Sequence, residues 1–192
     1  MLIPVAVAAS SSLLSFMTKR VLCLLPPGFE EIEAIAPVDL LCRAGAVVLL
    51  ASLDHELVVK GRCGVTIHAD VRLADVMDDD FDLLLIPGGP GVKAKRDDGR
   101  AACLARAYHD SGRPVAAICA APTVLLDAGL LAGRRFTSHA GVRIELPATL
   151  CDTERVVEDG HLITSRGAAT SVEFGLALLC ICNQSGPRQR AA

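Results

Sequence analysis

The chain has 192 residues, enough for one domain with a substantial core. Its 52% hydrophobic content fits an α/β protein whose parallel sheet is covered on both faces. A net charge of −3, only 3% aromatics and no Trp exclude a nucleic-acid stacking platform or a basic groove.

Residues 1–16 are apolar and uncharged, but they lack a basic n-region and three serines break the run. They are also too short and interrupted to span a membrane. They read as a disordered extension or an upstream start, with organelle targeting as the alternative. Met17-Thr18-Lys19-Arg20 reads as a second start, so the single domain is expected over residues 17–184.

Val21 to Leu25 predicts a buried strand, ended by Pro26-Pro27-Gly28. Glu30 and Glu31 suit the start of a helix, where the dipole favours acid. Ile32, Ile35, Val38, Leu41 and Cys42 form the expected core stripe, Pro37 a kink and Gly45 the stop. Glu33 lies one turn into this helix, near the carboxyl edge of the sheet where α/β ligands bind. On residues alone it is either a site acid or a solvated carboxylate. Val47 to Ala51 is the next strand. Asp54 to His68 holds two short alternating stretches around Gly61, a hairpin-like excursion. His68 near its end reads more readily as structural than as a ligand.

Phe81 to Ile86 predicts a buried strand running into Pro87-Gly88-Gly89-Pro90-Gly91. This turn lacks both phosphate-loop patterns. It is either a plain turn or a place where backbone N–H groups stay exposed for an oxyanion. Asp97 to Ser111 is expected as a helix burying Ala101, Leu104, Ala105 and Tyr108, capped by Gly112.

Pro114 to Ile118 predicts another buried strand, and Thr123 to Ala128 a helix with Pro122 in its first turn. Cys119 stands at the join, with small Ala117 and Ala121 two residues to either side. A sharp strand–nucleophile–helix turn needs such neighbours. A thiol at a helix N-terminus is also biased toward thiolate. The plain alternative is a buried core cysteine. Arg135 to Ser138 reads as a short strand followed by His139, in the right chain order to approach Cys119. Val156 to Glu158 and His161 to Thr164 flank Asp159-Gly160, a hairpin signal. The last helix is expected over Ala168 to Asn183, with Val172, Leu176, Leu179 and Cys180 inward, before a polar tail at 185–192.

The eight cysteines fit no disulfide framework and no zinc motif. Most fall on apolar faces of predicted elements, where Cys acts as a small hydrophobe. This usage implies a reducing, cytoplasmic compartment.

Pro27-Gly-Phe-Glu-Glu-Ile-Glu33, Pro37-Val-Asp39, Leu85-Ile-Pro-Gly-Gly89, Ala116-Ala-Ile-Cys-Ala-Ala-Pro122 and Thr164-Ser-Arg-Gly167 stand here in one order. Together they resemble the DJ-1/PfpI (ThiJ/PfpI) superfamily, DJ-1 branch, over about residues 20–183. The resemblance implies a flavodoxin-like sandwich, a mostly parallel sheet with helices on both faces, and a homodimer. It implies that Cys119 is an oxidation-sensitive nucleophile and Glu33 the acid bonded to it. It implies that Gly88, Gly89 and Ala120 offer N–H groups to a substrate oxygen and that His139 lies close. Arg43, in Cys42-Arg-Ala-Gly45, matches an Arg that meets the site from the dimer partner.

The activity implied is a cofactor-free, metal-free glyoxalase or deglycase acting on methylglyoxal-type aldehydes. The alternative is an oxidative-stress sensor and redox-regulated chaperone using the same cysteine. A thiamine-pathway role rests on a family label alone. Ala120 stands where the protease branch carries His, which argues against peptidase activity. His68 occupies a family position near the dimer interface that is often Cys, and the short polar tail replaces an extra C-terminal helix.

Overall fold

The computed structural model describes residues 19–184. The expected extension at 1–16 and tail at 185–192 lie outside the described residues.

Strand β1 (Arg20–Leu25) is central, and its side chains alternate between two cores. Leu22 and Leu24 enter one core, and Val21, Cys23 and Leu25 the other. Helix α1 (Glu31–Arg43) returns the chain to β2 (Val47–Ser52), parallel to β1. The hairpin-like excursion is observed as β3 (Val58–Lys60) paired antiparallel with β4 (Thr66–His68). A two-residue strand, β5 (Val71–Arg72), then edges the main sheet beside β2.

Next, β6 (Leu83–Ile86) enters on the other side of β1. Helices α2 (Val92–Asp98) and α3 (Arg100–Asp110) follow it. Strand β7 (Val115–Ile118) pairs with β6 and leads to α4 (Pro122–Asp127). Strands β8 (Val156–Asp159) and β9 (Leu162–Ser165) form the expected hairpin, and α5 (Ser171–Gln184) closes the described chain. The order across the sheet is β5-β2-β1-β6-β7-β9-β8, parallel throughout except at β8–β9. This is the flavodoxin-like sandwich that the motifs imply. Chain direction across the sheet reverses between β1 and β6, so the crevice at their carboxyl ends is the natural site.

Several expectations are corrected. In α1 the inward residues are Glu33, Ala34, Pro37 and Leu41, while Ile32, Ile35 and Cys42 are exposed. The helix is rotated so that a carboxylate, not an isoleucine, points inward. It runs continuously through Pro37, which is buried. In α5, Phe174, Leu178, Ile181 and Cys182 face the core, while Val172, Leu176 and Cys180 face out. The helix expected over 97–111 is two helices, because Gly99 at φ +77 ends one and starts the next. The four apolar residues assigned to its inner side are all buried.

Residues 135–138 form only one bridge, Phe136 to Leu150, in place of a strand. Side chains replace the ladder there: Thr137 N–H donates to Thr164 Oγ1, and Thr137 Oγ1 donates to the Cys151 carbonyl. The eight cysteines are all free thiols, but only Cys23 and Cys182 are buried. Among the described residues no helix is long and apolar enough to cross a membrane.

Candidate functional site

Cys119 leaves β7 with φ +65, the only non-glycine residue of positive φ among those described. That backbone costs about 1 kcal/mol or more, so its surroundings must hold it. They do so from both sides. Cys119 N–H donates to the Ser165 carbonyl at 2.9 Å, and His139 N–H donates to the Cys119 carbonyl at 2.8 Å. Thr123 Oγ1 ties down the Ala120 carbonyl at 2.7 Å. The expected elbow is therefore present, and the thiol is lifted out of the strand's pleat.

Three chain segments meet at the sulfur. Backbone N–H groups of Ala120 and Gly89 point at it, and the Glu33 carboxyl hydrogen-bonds it. Helix α4 is only six residues long, so these two local N–H groups, not a long helix dipole, supply the positive potential. Glu33 is 1% exposed, and its Oε2 accepts from Gly88 N–H at 3.0 Å. Gly88 was expected to donate to substrate oxygen, but its N–H is committed to Glu33. Gly89 and Ala120 remain as donors at the sulfur.

Glu33 and Cys119 share one buried negative charge. Burial pushes Glu33 up to about 7, with repulsion from Glu30 adding to it. The bonds from Cys119 and Gly88 and the charge of Lys95 pull the other way. Burial and the ionised Glu33 push the Cys119 thiol up to about 12, against the pull of the Ala120 and Gly89 N–H groups. The thiolate bias expected from the helix start is thus outweighed while Glu33 is charged. When Glu33 takes the proton, its repulsion vanishes and its O–H donates to the sulfur.

Gly167 lies against this cluster. A Cβ there would lie 3.7 Å from Glu33 Oε1, 3.7 Å from His139 Cδ2 and 3.8 Å from Cys119 Sγ. The His139 ring and the Cys119 sulfur thus both border Gly167. That ring is exposed, and its Nδ1 accepts from Gly141 N–H at 3.0 Å. Arg43 is not brought to the site within one chain. Its guanidinium is 74% exposed and held by Asp39 at 2.6 Å. His68 is likewise remote on the hairpin, with Nδ1 at 2.9 Å from the Ala69 carbonyl.

A groove of about 690 Å³ opens beside the sulfur's donors, lined by Gly89, Ala120, Thr123, Arg96, Asp127 and Glu145. Arg96 bridges Asp127 at 2.6 Å and Glu145 at 2.5 Å. A second recess of about 420 Å³ lies on the His139–Gly167 side. One residue behind the site was not foreseen: Lys95 is fully buried. In the run Lys93-Ala-Lys95-Arg96 it reads as one more solvated charge, and periodicity carries no signal against that.

Known proteins share this arrangement of chain. The DJ-1/PfpI family model matches residues 19–180. Protein dj-1beta of Drosophila melanogaster is 41% identical over 165 residues, covering 84% of this chain and 88% of that protein. Deglycase PfpI of Pyrococcus furiosus is 36% identical over 150 residues, covering 77% of this chain and 89% of that one. The structure of oxidized Toxoplasma gondii DJ-1 superposes with a TM-score of 0.81 at 33% identity, over 85% of this chain and 90% of that chain. The chain belongs to the DJ-1/PfpI family.

Proposed function

We propose that this protein is a cysteine-dependent deglycase and glyoxalase that acts on small reactive carbonyls of the methylglyoxal type without glutathione. The observation that carries the reading is the Cys119 sulfur held between two N–H donors and a carboxyl raised to about 7. An acid at that value gives and takes protons at neutral pH. The deglycase named among the relatives supports the substrate class.

In this reading the Cys119 thiolate adds to the aldehyde carbon, forming the S–C bond of a hemithioacetal. Glu33 supplies the proton to the aldehyde oxygen, and Gly89 and Ala120 N–H groups stabilise the oxygen as charge develops. Glu33, now a carboxylate, takes the C1 proton and returns it to C2, while the C1 hydroxyl proton passes to the C2 oxygen with His139 assisting. The ketone becomes an alcohol and C1 becomes a thioester. Water then breaks the S–C bond and releases the hydroxy acid and the thiol.

D-lactate formation from methylglyoxal without glutathione tests this. The wild type turns over and a folded Cys119→Ser variant loses at least about 10³-fold. No turnover by fresh, fully reduced wild type sinks the reading.

A second reading, redox sensing by Cys119 oxidation, is favoured by the same Glu33 contact. A protonated carboxyl bonded to the sulfur also donates to a sulfinate. The oxidized Toxoplasma gondii DJ-1 structure is a neighbour of this fold.

The protein's partner in this reading is a second copy. Ile32 and Ile35 are 48% and 40% exposed and with Ala36 form an apolar recess of about 470 Å³ on α1. Arg43 lies on the same helix, exposed beside Asp39, where a partner's site could meet it. Light scattering on the wild type is expected to give a dimer, and Ile35→Asp a monomer. A monomeric wild type removes both the homodimer and the role of Arg43.

A further inference from the structure

Lys95 is 0% exposed, and it is not on the surface of α2 as its sequence context suggests. Its Nζ donates to the Pro87 carbonyl at 2.5 Å. The same peptide unit, Pro87–Gly88, donates its N–H to Glu33 Oε2 at 3.0 Å on the other side. One rigid, planar peptide therefore stands between an amine and the site carboxyl. Its dipole aligns with both: carbonyl to the ammonium, N–H to the carboxylate. Each bond polarises the other.

Other groups around the amine sharpen the assignment. Cys23 of β1 faces it, but full burial pushes that thiol up to about 12, so Cys23 stays neutral. From α1, the Glu33 charge acts on Lys95 directly. Glu30 repels Glu33 from the turn before α1 and is itself bridged by Arg62 at 3.2 Å. Beyond Glu33 lies the Cys119 thiol, which bonds it, with the His139 ring bordering the same Gly167 position. The negative charge available to Lys95 is the one that Glu33 and Cys119 share.

We infer that Lys95 is a positioning residue for the site: a buried counter-charge, relayed through the Pro87–Gly88 peptide, that lets the Glu33–Cys119 pair hold one negative charge at neutral pH. With the ammonium in place, the trio is neutral whether the proton sits on Glu33 or on the sulfur. Without it, ionising either group leaves an uncompensated buried charge. Burial brings Lys95 down to about 7 even against the upward push of the Glu33 charge. A group in that position senses whether the pair is ionised. The inference rests on the Cys119–Glu33 reading of the site, and its test needs no carbonyl turnover.

The test is the pH profile of Cys119 alkylation by iodoacetamide, followed on its peptide by mass spectrometry. The other seven cysteines serve as internal controls. Lys95→Gln keeps a donor for the Pro87 carbonyl without the charge, and Lys95→Met removes both. In both variants the midpoint is expected to rise by about one pH unit, so that alkylation at pH 7 slows about tenfold. An unchanged midpoint in both overturns the inference. A normal Gln variant beside a shifted Met variant also overturns it, because the role is then loop positioning without charge. A second measurement uses the native side chain. Coupling is reciprocal, so the Lys95 Nζ titration followed by NMR must move between wild type and Glu33→Gln. An unmoved Lys95 overturns the inference even where neither Lys95 variant folds.

Discussion

Glu33→Gln is expected to fold, to keep its place beside Cys119, and to lose turnover by about 10²–10⁴-fold. The amide can still accept from Gly88 N–H and donate toward the sulfur, but it cannot carry a proton between two carbons. The loss therefore falls on the chemical step and appears in kcat more than in KM. The same variant changes stability with a definite sign. Glu33 takes up its proton at about 7 in the folded protein and at 4.5 when unperturbed. Between those values the folded state binds more protons than the unfolded state, so wild-type stability falls as pH rises through this window. The variant lacks that decline and gains on the wild type by of order 1–3 kcal/mol by pH 8. Thermal melts at pH 5 and pH 8 beside a lactate assay read both effects. Full activity in the variant takes Glu33 out of the mechanism. Parallel pH dependence of the two melts contradicts its buried, raised state. If sulfinate at Cys119 accumulates equally in both proteins under limiting peroxide, Glu33 is not the donor that the sensing reading needs.

Gly88→Ala is expected to disable the site through shape alone. A Cβ there would lie 2.5 Å from Glu33 Oε2, 2.6 Å from Cys119 Cβ and 2.9 Å from the Ile118 carbonyl oxygen. Two of these neighbours belong to an elbow that hydrogen bonds hold on both sides, so it is the loop that must retreat. Its retreat breaks the Gly88–Glu33 bond and moves the Gly89 N–H off the sulfur. A displacement near 1 Å costs about 10²-fold in rate, and the overpacking costs about 1–3 kcal/mol. Gly99→Ala is the control. It has φ +77 but nothing within 4 Å of its Cβ. It is expected to cost about 1 kcal/mol of backbone strain and to leave activity unchanged. Wild-type turnover in Gly88→Ala would show that neither the Glu33 anchor nor the Gly89 donor matters.

Both predictions depend on contacts between segments far apart in the chain, which marks the limit of sequence reading here. The apolar runs at Val21–Leu25 and Val115–Ile118 announced buried strands, because a strand covered on both faces leaves no room for a polar side chain. Small neighbours announced the elbow at Cys119, because only they fit where the backbone folds back. The motif order carried Glu33 to the site, although its helix could not. The hydrophobic stripe of α1 pointed to Ile32 and Ile35, and it was wrong by one residue of rotation because an inward carboxylate counts against the inward face.

The sequence by itself determined the α/β class, most of the strands, the cysteine elbow and the family. Each depends on local pattern: a run, a period, a turn or a motif in order. The tertiary structure alone decided what the site's charges do. It turned Gly88 N–H to Glu33, left Gly89 and Ala120 at the sulfur, and drew Lys95 from an apparently solvated run into the core behind them. Burial and Coulomb energy depend on distance in space and on exclusion of water. Neither is written in the spacing of residues along a chain.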